Sequence, residues 1–177
     1  MKTLVLLFHP NINQSRVNKA FIQKLEEQND ANITIRDEYA IYPDGRIDVN
    51  AEQQLMEKHD KIIFQFPMYW YSSPSLLKEW EDQVLEYGWA YGSNGNALKG
   101  KELTLAVTTG AVAENYLKTG QFGHTIDEML SPFESTSKLI GTNYTTPFIT
   151  HGVAQHLSYS ELQVRSDEFV SFVRKGE

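Results

Sequence analysis

The chain has 177 residues, 41% of them hydrophobic, with a formal charge of −7 at pH 7. That length suits one domain, spanning residues 1–177, with a core large enough to fold on its own. The lack of any cysteine excludes disulfides, thiolate metal sites and cysteine nucleophiles and suits a reducing cytoplasm, while the acidic balance without a basic cluster excludes general affinity for nucleic acid.

Strand and helix patterns alternate along the chain. The apolar run Thr3–Phe8 superficially resembles a signal peptide, but it is short, lacks a small-residue cleavage site and meets His9-Pro10-Asn11, so it reads as a central parallel strand. Ser15 opens a helix in which Val17, Phe21 and Leu25 recur four apart. Ile33-Thr34-Ile35-Arg36 alternates, as a half-exposed edge strand does. A loop containing Pro43-Asp44-Gly45 leads to a short helix near Asn50–His59. The third strand, Lys61–Phe66, precedes a helix over Pro74–Leu85 that Ser73 can cap and Pro74 can start. Gly88 suits its end.

A looser stretch, Trp89–Lys101, separates that helix from a strand over Glu102–Thr108. A long helix follows over Ile126–Leu139, then a last strand near Asn143–Ile149 whose Pro147 is tolerable at an edge. The closing helix begins at Ser158, where Ser158 and Glu161 form a capping-box pattern, and it buries Leu162, Phe169 and Val173. Five strands with intervening helices predict a doubly wound α/β parallel sheet of order 2-1-3-4-5. No stretch approaches membrane-spanning length.

In such sheets ligands sit at the carboxyl ends of the strands, which directs attention to three loops. His9–Ser15 leads into a helix amino terminus, whose unpaired N–H groups suit a phosphate. His9, Ser15, Arg16 and Asn18 could add donors there, although Ser15 reads equally as an N-cap and Asn18 as surface. The second loop carries Pro67, Met68, Tyr69, Trp70 and Tyr71; its aromatics either stack on a flat ligand or pack on the following helix. The third, Thr108, Thr109, Gly110 and Ala111, is unremarkable in composition and matters only through its position. The histidines at 9, 59, 124, 151 and 156 are scattered without a helical metal pair, so no metal is expected. Asp37-Glu38 and Glu26-Glu27 read as solvated surface.

Taken in order, His9-Pro10 with Ser15 and Asn18, Tyr42-Pro43-Asp44, Ile47-Asp48, Glu52-Gln53, Gln65–Tyr71, Pro74, Leu77-Lys78, Trp80, Gly88–Gly92, Gly100-Lys101 and Thr108-Thr109-Gly110 cover most of the chain. Together they resemble the flavodoxin-like NAD(P)H:quinone oxidoreductases, the group that includes DT-diaphorase. The bacterial branch holding the ancillary oxidoreductases of potassium-efflux antiporters looks closest. The resemblance implies one flavodoxin-like domain that holds FMN, with FAD as the alternative, and takes NAD(P)H as co-substrate. A quinone or similar small molecule would accept hydride in a two-electron ping-pong scheme. It also implies a cytoplasmic homodimer, with the Trp89–Gly100 loop and the preceding helix as candidate contacts, and a possible antiporter partner at the inner face of the membrane. A flavodoxin-type electron carrier is the other class to weigh; the missing Thr/Ser/Gly-rich phosphate loop counts against it.

By the same resemblance, His9, Ser15, Asn18 and Arg16 hold the flavin phosphate, and residues 67–71 and 108–111 line the ring. Two departures stand out. Relatives carry Gly-Gly after Thr-Thr, where this chain has Gly110-Ala111. Relatives also place a tyrosine and, six residues on, a histidine near the flavin; Tyr116 matches the tyrosine, but the histidine position falls on Phe122. His124 would need a loop shift to take its place, and it reads equally as a surface histidine.

Overall fold

The structure is a computed structural model describing residues 1–155 and 157–175; His156 lies outside the described residues. The strands are Thr3–Leu7 (β1), Ile33–Asp37 (β2), Lys61–Pro67 (β3), Glu102–Thr108 (β4), Asn143–Tyr144 (β5) and Phe148–Thr150 (β6). The α-helices are Arg16–Glu26 (α1), Glu38–Ile41 (α2), Val49–Glu57 (α3), Ser75–Val84 (α4), Ile126–Ile140 (α5) and Tyr159–Arg174 (α6). All pairings are parallel in the order β2-β1-β3-β4-β5, with β6 also on β4. The expected order is therefore found.

Alternation along the buried strands divides the core into two layers. Leu4, Leu6, Phe8, Phe64, Leu105 and Val107 meet α3, α4 and α5 through Met56, Leu77, Trp80, Leu130 and Phe133. Val5, Leu7, Ile63 and Ala106 meet α1 and α6, where Phe21 and Phe169 stack with centroids 5.0 Å apart. Trp80 fills the first layer edge-on, 6.0 Å from Phe8 and 5.4 Å from Phe64. Among the described residues no helix is long and apolar enough to cross a membrane.

The expected last strand is two strands. β5 and β6 both pair with β4, but the register slips by one residue between them, so Thr145, Thr146 and Pro147 form a bulge. Proline cannot donate to the ladder, and the buried Thr104 hydroxyl bonds the Thr145 and Thr146 carbonyls instead, at 3.2 and 3.3 Å. The start of α4 also differs. Pro74 is the N-cap and no side chain on this segment caps the helix; the Tyr39 hydroxyl takes the Leu76 N–H at 3.3 Å. Gly88, at φ +88, lies beyond the helix end in the following turn. Both α5 and α6 start with full capping boxes, Thr125–Glu128 and Ser158–Glu161. In α5, Pro132 frees the Glu128 carbonyl, and Ser131 Oγ donates to it at 2.8 Å.

Glu38 is not solvated surface: its side chain is fully buried beside Arg36. Arg36 Nε donates to Glu38 at 3.3 Å and a second guanidinium nitrogen bonds Glu52. Glu52, equally buried, also accepts from Tyr42 Oη at 2.6 Å and Trp80 Nε1 at 3.1 Å. The family-like residues Tyr42, Glu52 and Trp80 are thus one structural cluster joining β2, α3 and α4.

Burial, reinforced by the Glu52 charge, pushes the Glu38 carboxyl up from 4.5 to about 7. A folded value above the unfolded one means that the native state binds the proton more tightly. That stability is fully present below the unfolded value and is lost as pH rises through the folded one. Glu38→Gln is expected to flatten this fall. Urea unfolding of both proteins at about pH 5 and about pH 8 checks it, and equal pH dependence would refute it.

Candidate active site

Because every pairing in the sheet is parallel, the chain leaves β1, β3, β4 and β6 at one edge, and backbone hydrogen bonds lace those exits together. Met68 N–H donates to Thr108 O at 2.8 Å, Thr109 N–H to Thr150 O at 2.9 Å, Val153 N–H to Thr109 O at 3.0 Å and Gly152 N–H to Ala111 O at 2.8 Å. Asn18 adds a side-chain tie, its Nδ2 donating to Ser15 Oγ at 3.2 Å and to Thr108 Oγ1 at 3.0 Å.

On the β1–α1 side, Ser15 is the N-cap of α1, its Oγ accepting from Asn18 N–H at 3.2 Å. Arg16 is exposed in the first turn. His9 is nearly buried, and Asn11 N–H donates to its Nδ1 at 3.1 Å. Burial lowers the His9 pKa, with Asp37 opposing. The neutral ring therefore carries its proton on Nε2, as a donor. Asn18 is not surface: it is 2% exposed, and its Oδ1 has no partner. Gln65, 1% exposed and facing Leu7 and Ala106 across the sheet, has neither side-chain polar atom partnered. Gln65 carries a family-like motif in the sequence, yet only its burial reveals two unmet hydrogen-bonding groups.

In the β3–α4 loop, Tyr69 and Ser72 exchange backbone bonds of 3.1 and 3.0 Å around Trp70 at φ +50 and Tyr71 at φ +61. This is a two-residue turn of the type that favours Asn-Gly, here made of bulky aromatics in left-handed backbone. Pro67 is buried and Met68 half-buried, whereas Trp70 is 92% exposed. Trp70 therefore does not pack on α4. Tyr71 instead begins a row of rings: Tyr71 to Phe122, Phe122 to Tyr116 and Tyr116 to His151, with centroids 5.0, 5.0 and 5.1 Å apart.

In the β4 loop, Thr108 and Thr109 are buried and Gly110 is exposed. Ala111, where relatives carry a second glycine, has no positive φ, so its methyl group is accommodated without backbone strain. Thr109 Oγ1 donates to Ala111 O at 2.9 Å and lies 2.9 Å from His151 Nδ1. Tyr116 is 6% exposed, and burial raises its phenol. His124 stands elsewhere, 66% exposed and 3.6 Å from Glu128, so Phe122 and His151, not His124, flank Tyr116. His151 carries one local signal in the sequence, its place just after the last strand. Among the described residues no group of three His, Cys, Asp or Glu side chains could hold a metal ion.

The model of a family with a flavodoxin-like fold matches residues 1–169. General stress protein 14 of Bacillus subtilis is 54% identical over 164 residues, covering 90% of this chain and 93% of its own. The NAD(P)H oxidoreductase YrkL of the same organism is 45% identical, covering 98% of both chains. The potassium-efflux ancillary protein KefG of Pectobacterium atrosepticum is 41% identical over 85% of this chain and 81% of its own. Among solved structures, general stress protein 14 of Treponema denticola in complex with FMN superposes with a TM-score of 0.90 at 43% identity, covering 98% of both chains. An NADPH-quinone reductase from P. pentosaceus gives 0.89 at 29% identity, covering 100% of both. A chain described as a thermophilic tryptophan halogenase from Streptomycin violaceusniger gives 0.93 at 50%, covering 98% of this chain and 99% of that one.

Left-handed backbone at a bulky residue costs about 1–2 kcal/mol. Since the Trp70 side chain makes little contact, Trp70→Asn is expected to keep or raise apoprotein stability, by up to about 1 kcal/mol. Chemical denaturation measures this, and a clear loss of stability would show that the turn is not strained.

Proposed function

The chain belongs to the family whose flavodoxin-like model spans residues 1–169, and on that premise we propose that it is an FMN-dependent NAD(P)H oxidoreductase reducing quinones or related electrophiles. The observation that carries this reading is the convergence of the loop ends on one edge, with Asn18 Oδ1 and both polar atoms of the Gln65 amide unpartnered, together with a row of aromatic rings. A ligand with a phosphate, polyhydroxyl chain and flat ring matches that edge part by part. The FMN held by the Treponema relative and the NAD(P)H and quinone in the relatives' names support the same choice. The chain described as a halogenase differs from these in name at a similar likeness of fold, and fold alone does not decide chemistry.

Bound FMN supplies the ring that accepts hydride and passes it on. The α1 amino terminus, the Ser15 hydroxyl and the Nε2–H of His9 would hold its phosphate region, with Arg16 at the mouth; Asn18 fixes Ser15 in place through its donors, and Gln65 offers its free amide. Pro67, Met68, Tyr69, Trp70 and Tyr71, with Thr108, Thr109, Gly110 and Ala111, would hold the ring. Tyr116 steadies the charge delivered with the hydride. Nicotinamide and acceptor use the same open face in turn, which is a ping-pong scheme. A second copy of the chain covers the aromatics Trp70 and Tyr87, 92% and 68% exposed and placed before and after α4. The Trp89–Gly100 loop contributes less than its composition suggests, because Ala90 and Leu98 are buried in their own core.

A second reading, favoured by the KefG relative, makes the protein a cytoplasmic subunit docked on a potassium-efflux antiporter. Co-purification with membranes that carry such an antiporter tests it.

The protein is expected to purify yellow or to take up FMN, to bleach anaerobically with NAD(P)H, and to recover its colour with menadione. A folded sample that binds no flavin overturns the reading, and initial-rate lines that intersect rather than run parallel overturn the shared-site scheme. Tyr116→Phe should slow flavin reduction by about tenfold or more while changing FMN affinity little, because the phenol acts on charge that develops only as hydride arrives. Stopped-flow reduction beside FMN titration separates the two, and a normal reduction rate removes Tyr116 from this role.

A further inference from the structure

His151 leaves the sheet just after β6, and three backbone bonds fasten its surroundings to the β4 loop: Thr109 N–H to Thr150 O, Gly152 N–H to Ala111 O and Val153 N–H to Thr109 O, at 2.9, 2.8 and 3.0 Å. Gly152, at φ +72, makes the turn that allows them. The imidazole is thereby held against Tyr116, with ring centroids 5.1 Å apart, and its Nδ1 lies 2.9 Å from Thr109 Oγ1. The Thr109 hydroxyl proton is given to Ala111 O, so in the neutral ring Nδ1–H is the donor to Thr109. That leaves the lone pair, and the capacity to take a proton, on Nε2.

The histidine is half-buried, within reach of water. The charged and titratable groups around it are Tyr116, Glu114 and, from α6, Arg165, which donates to Ile149 O at 2.6 Å and Thr150 Oγ1 at 3.2 Å. Burial lowers the His151 pKa, Glu114 works against that and Arg165 with it. The ring is therefore neutral before reaction and has room to become charged.

We propose that His151 is a positioning residue for hydride transfer that, through Thr109 and Tyr116, takes up the proton balancing the charge delivered to the site. The inference rests on the functional reading above. In the first half-reaction a C–H bond of NAD(P)H breaks, the nicotinamide is oxidised, and hydride brings two electrons and one negative charge to the ring beside Tyr116. His151 Nε2 takes one proton from water. In the second half-reaction the quinone receives the hydride on one carbonyl oxygen and leaves the other as a phenolate, to which the His151 proton returns. In sum, NAD(P)H, one proton and a quinone yield NAD(P)+ and a hydroquinone.

The decisive measurement is the pH dependence of the FMN midpoint potential in the holoprotein, which counts the protons taken up per two electrons. Near neutral pH the wild type is expected to take up about two, the one carried by the hydride included, and His151→Gln about one, with FMN affinity within about twofold of wild type and flavin reduction slowed about tenfold or more. Equal proton counts in the two proteins, with FMN bound to both, overturn the role of His151 alone. Failure of the wild type to bind FMN overturns the functional reading and this inference with it. Should His151→Gln not fold, the imidazole of the wild type can be titrated by NMR in both redox states. About a tenfold higher proton affinity in the reduced protein supports the proposal, and equal affinities refute it.

Discussion

Everything at the ligand-facing edge depends on Thr108 and Thr109. The Thr108 carbonyl holds the β3 loop through Met68 N–H, and its hydroxyl holds α1 through Asn18. Thr109 holds the last loop through its backbone and reaches His151 and Ala111 through its hydroxyl. Each such bond is worth only about 1 kcal/mol net. Both residues are buried, however, and a buried group left unpaired costs about 1–3 kcal/mol. The four loop ends are therefore coupled: none can move far without exposing the unmet bonds of another. The edge is pre-formed, so a ligand bound there would spend little of its binding energy on ordering it.

The Glu52 cluster does comparable work where β2 meets α3 and α4. A buried carboxylate is tolerable only when charge and hydrogen bonds meet it, and Glu52 has the Arg36 guanidinium, the Tyr42 hydroxyl and the Trp80 indole. Removing Arg36 leaves an uncompensated buried charge, which costs about 3–5 kcal/mol. That penalty fixes α3 and α4 relative to β2, and α4 in turn carries the end of the aromatic loop. Residues that count toward the family resemblance in the sequence thus serve the frame rather than the chemistry.

The aromatic turn shows how the frame and the edge are joined. Two bulky residues at positive φ are held there by the paired bonds between Tyr69 and Ser72 and by the grip of Thr108 on Met68. The turn lifts Trp70 into the open and tips Tyr71 onto Phe122. Phe122, which interrupts the histidine pattern of relatives, then links the turn to Tyr116 and His151 through ring contacts.

Local sequence pattern determined the architecture: continuous apolar runs marked the central strands, alternation marked β2 as the edge, and four-residue spacing marked α1. Those signals are legible because side-chain periodicity follows backbone geometry whatever else surrounds it. Capping chemistry was equally local at Ser158–Glu161. The loops that form the edge could be named for the same reason, since a parallel sheet sends every strand's carboxyl end one way. What lay beyond the sequence depended on contacts between distant segments. Glu38 reads as surface until Arg36 and Glu52 enclose it, and one expected strand becomes two because Thr104 bonds the carbonyls before Pro147. His151 and His124 are equivalent as letters in the chain. Only the pairing of β6 with β4 brings one of them to Tyr116, while the start of α5 turns the other toward Glu128 and water.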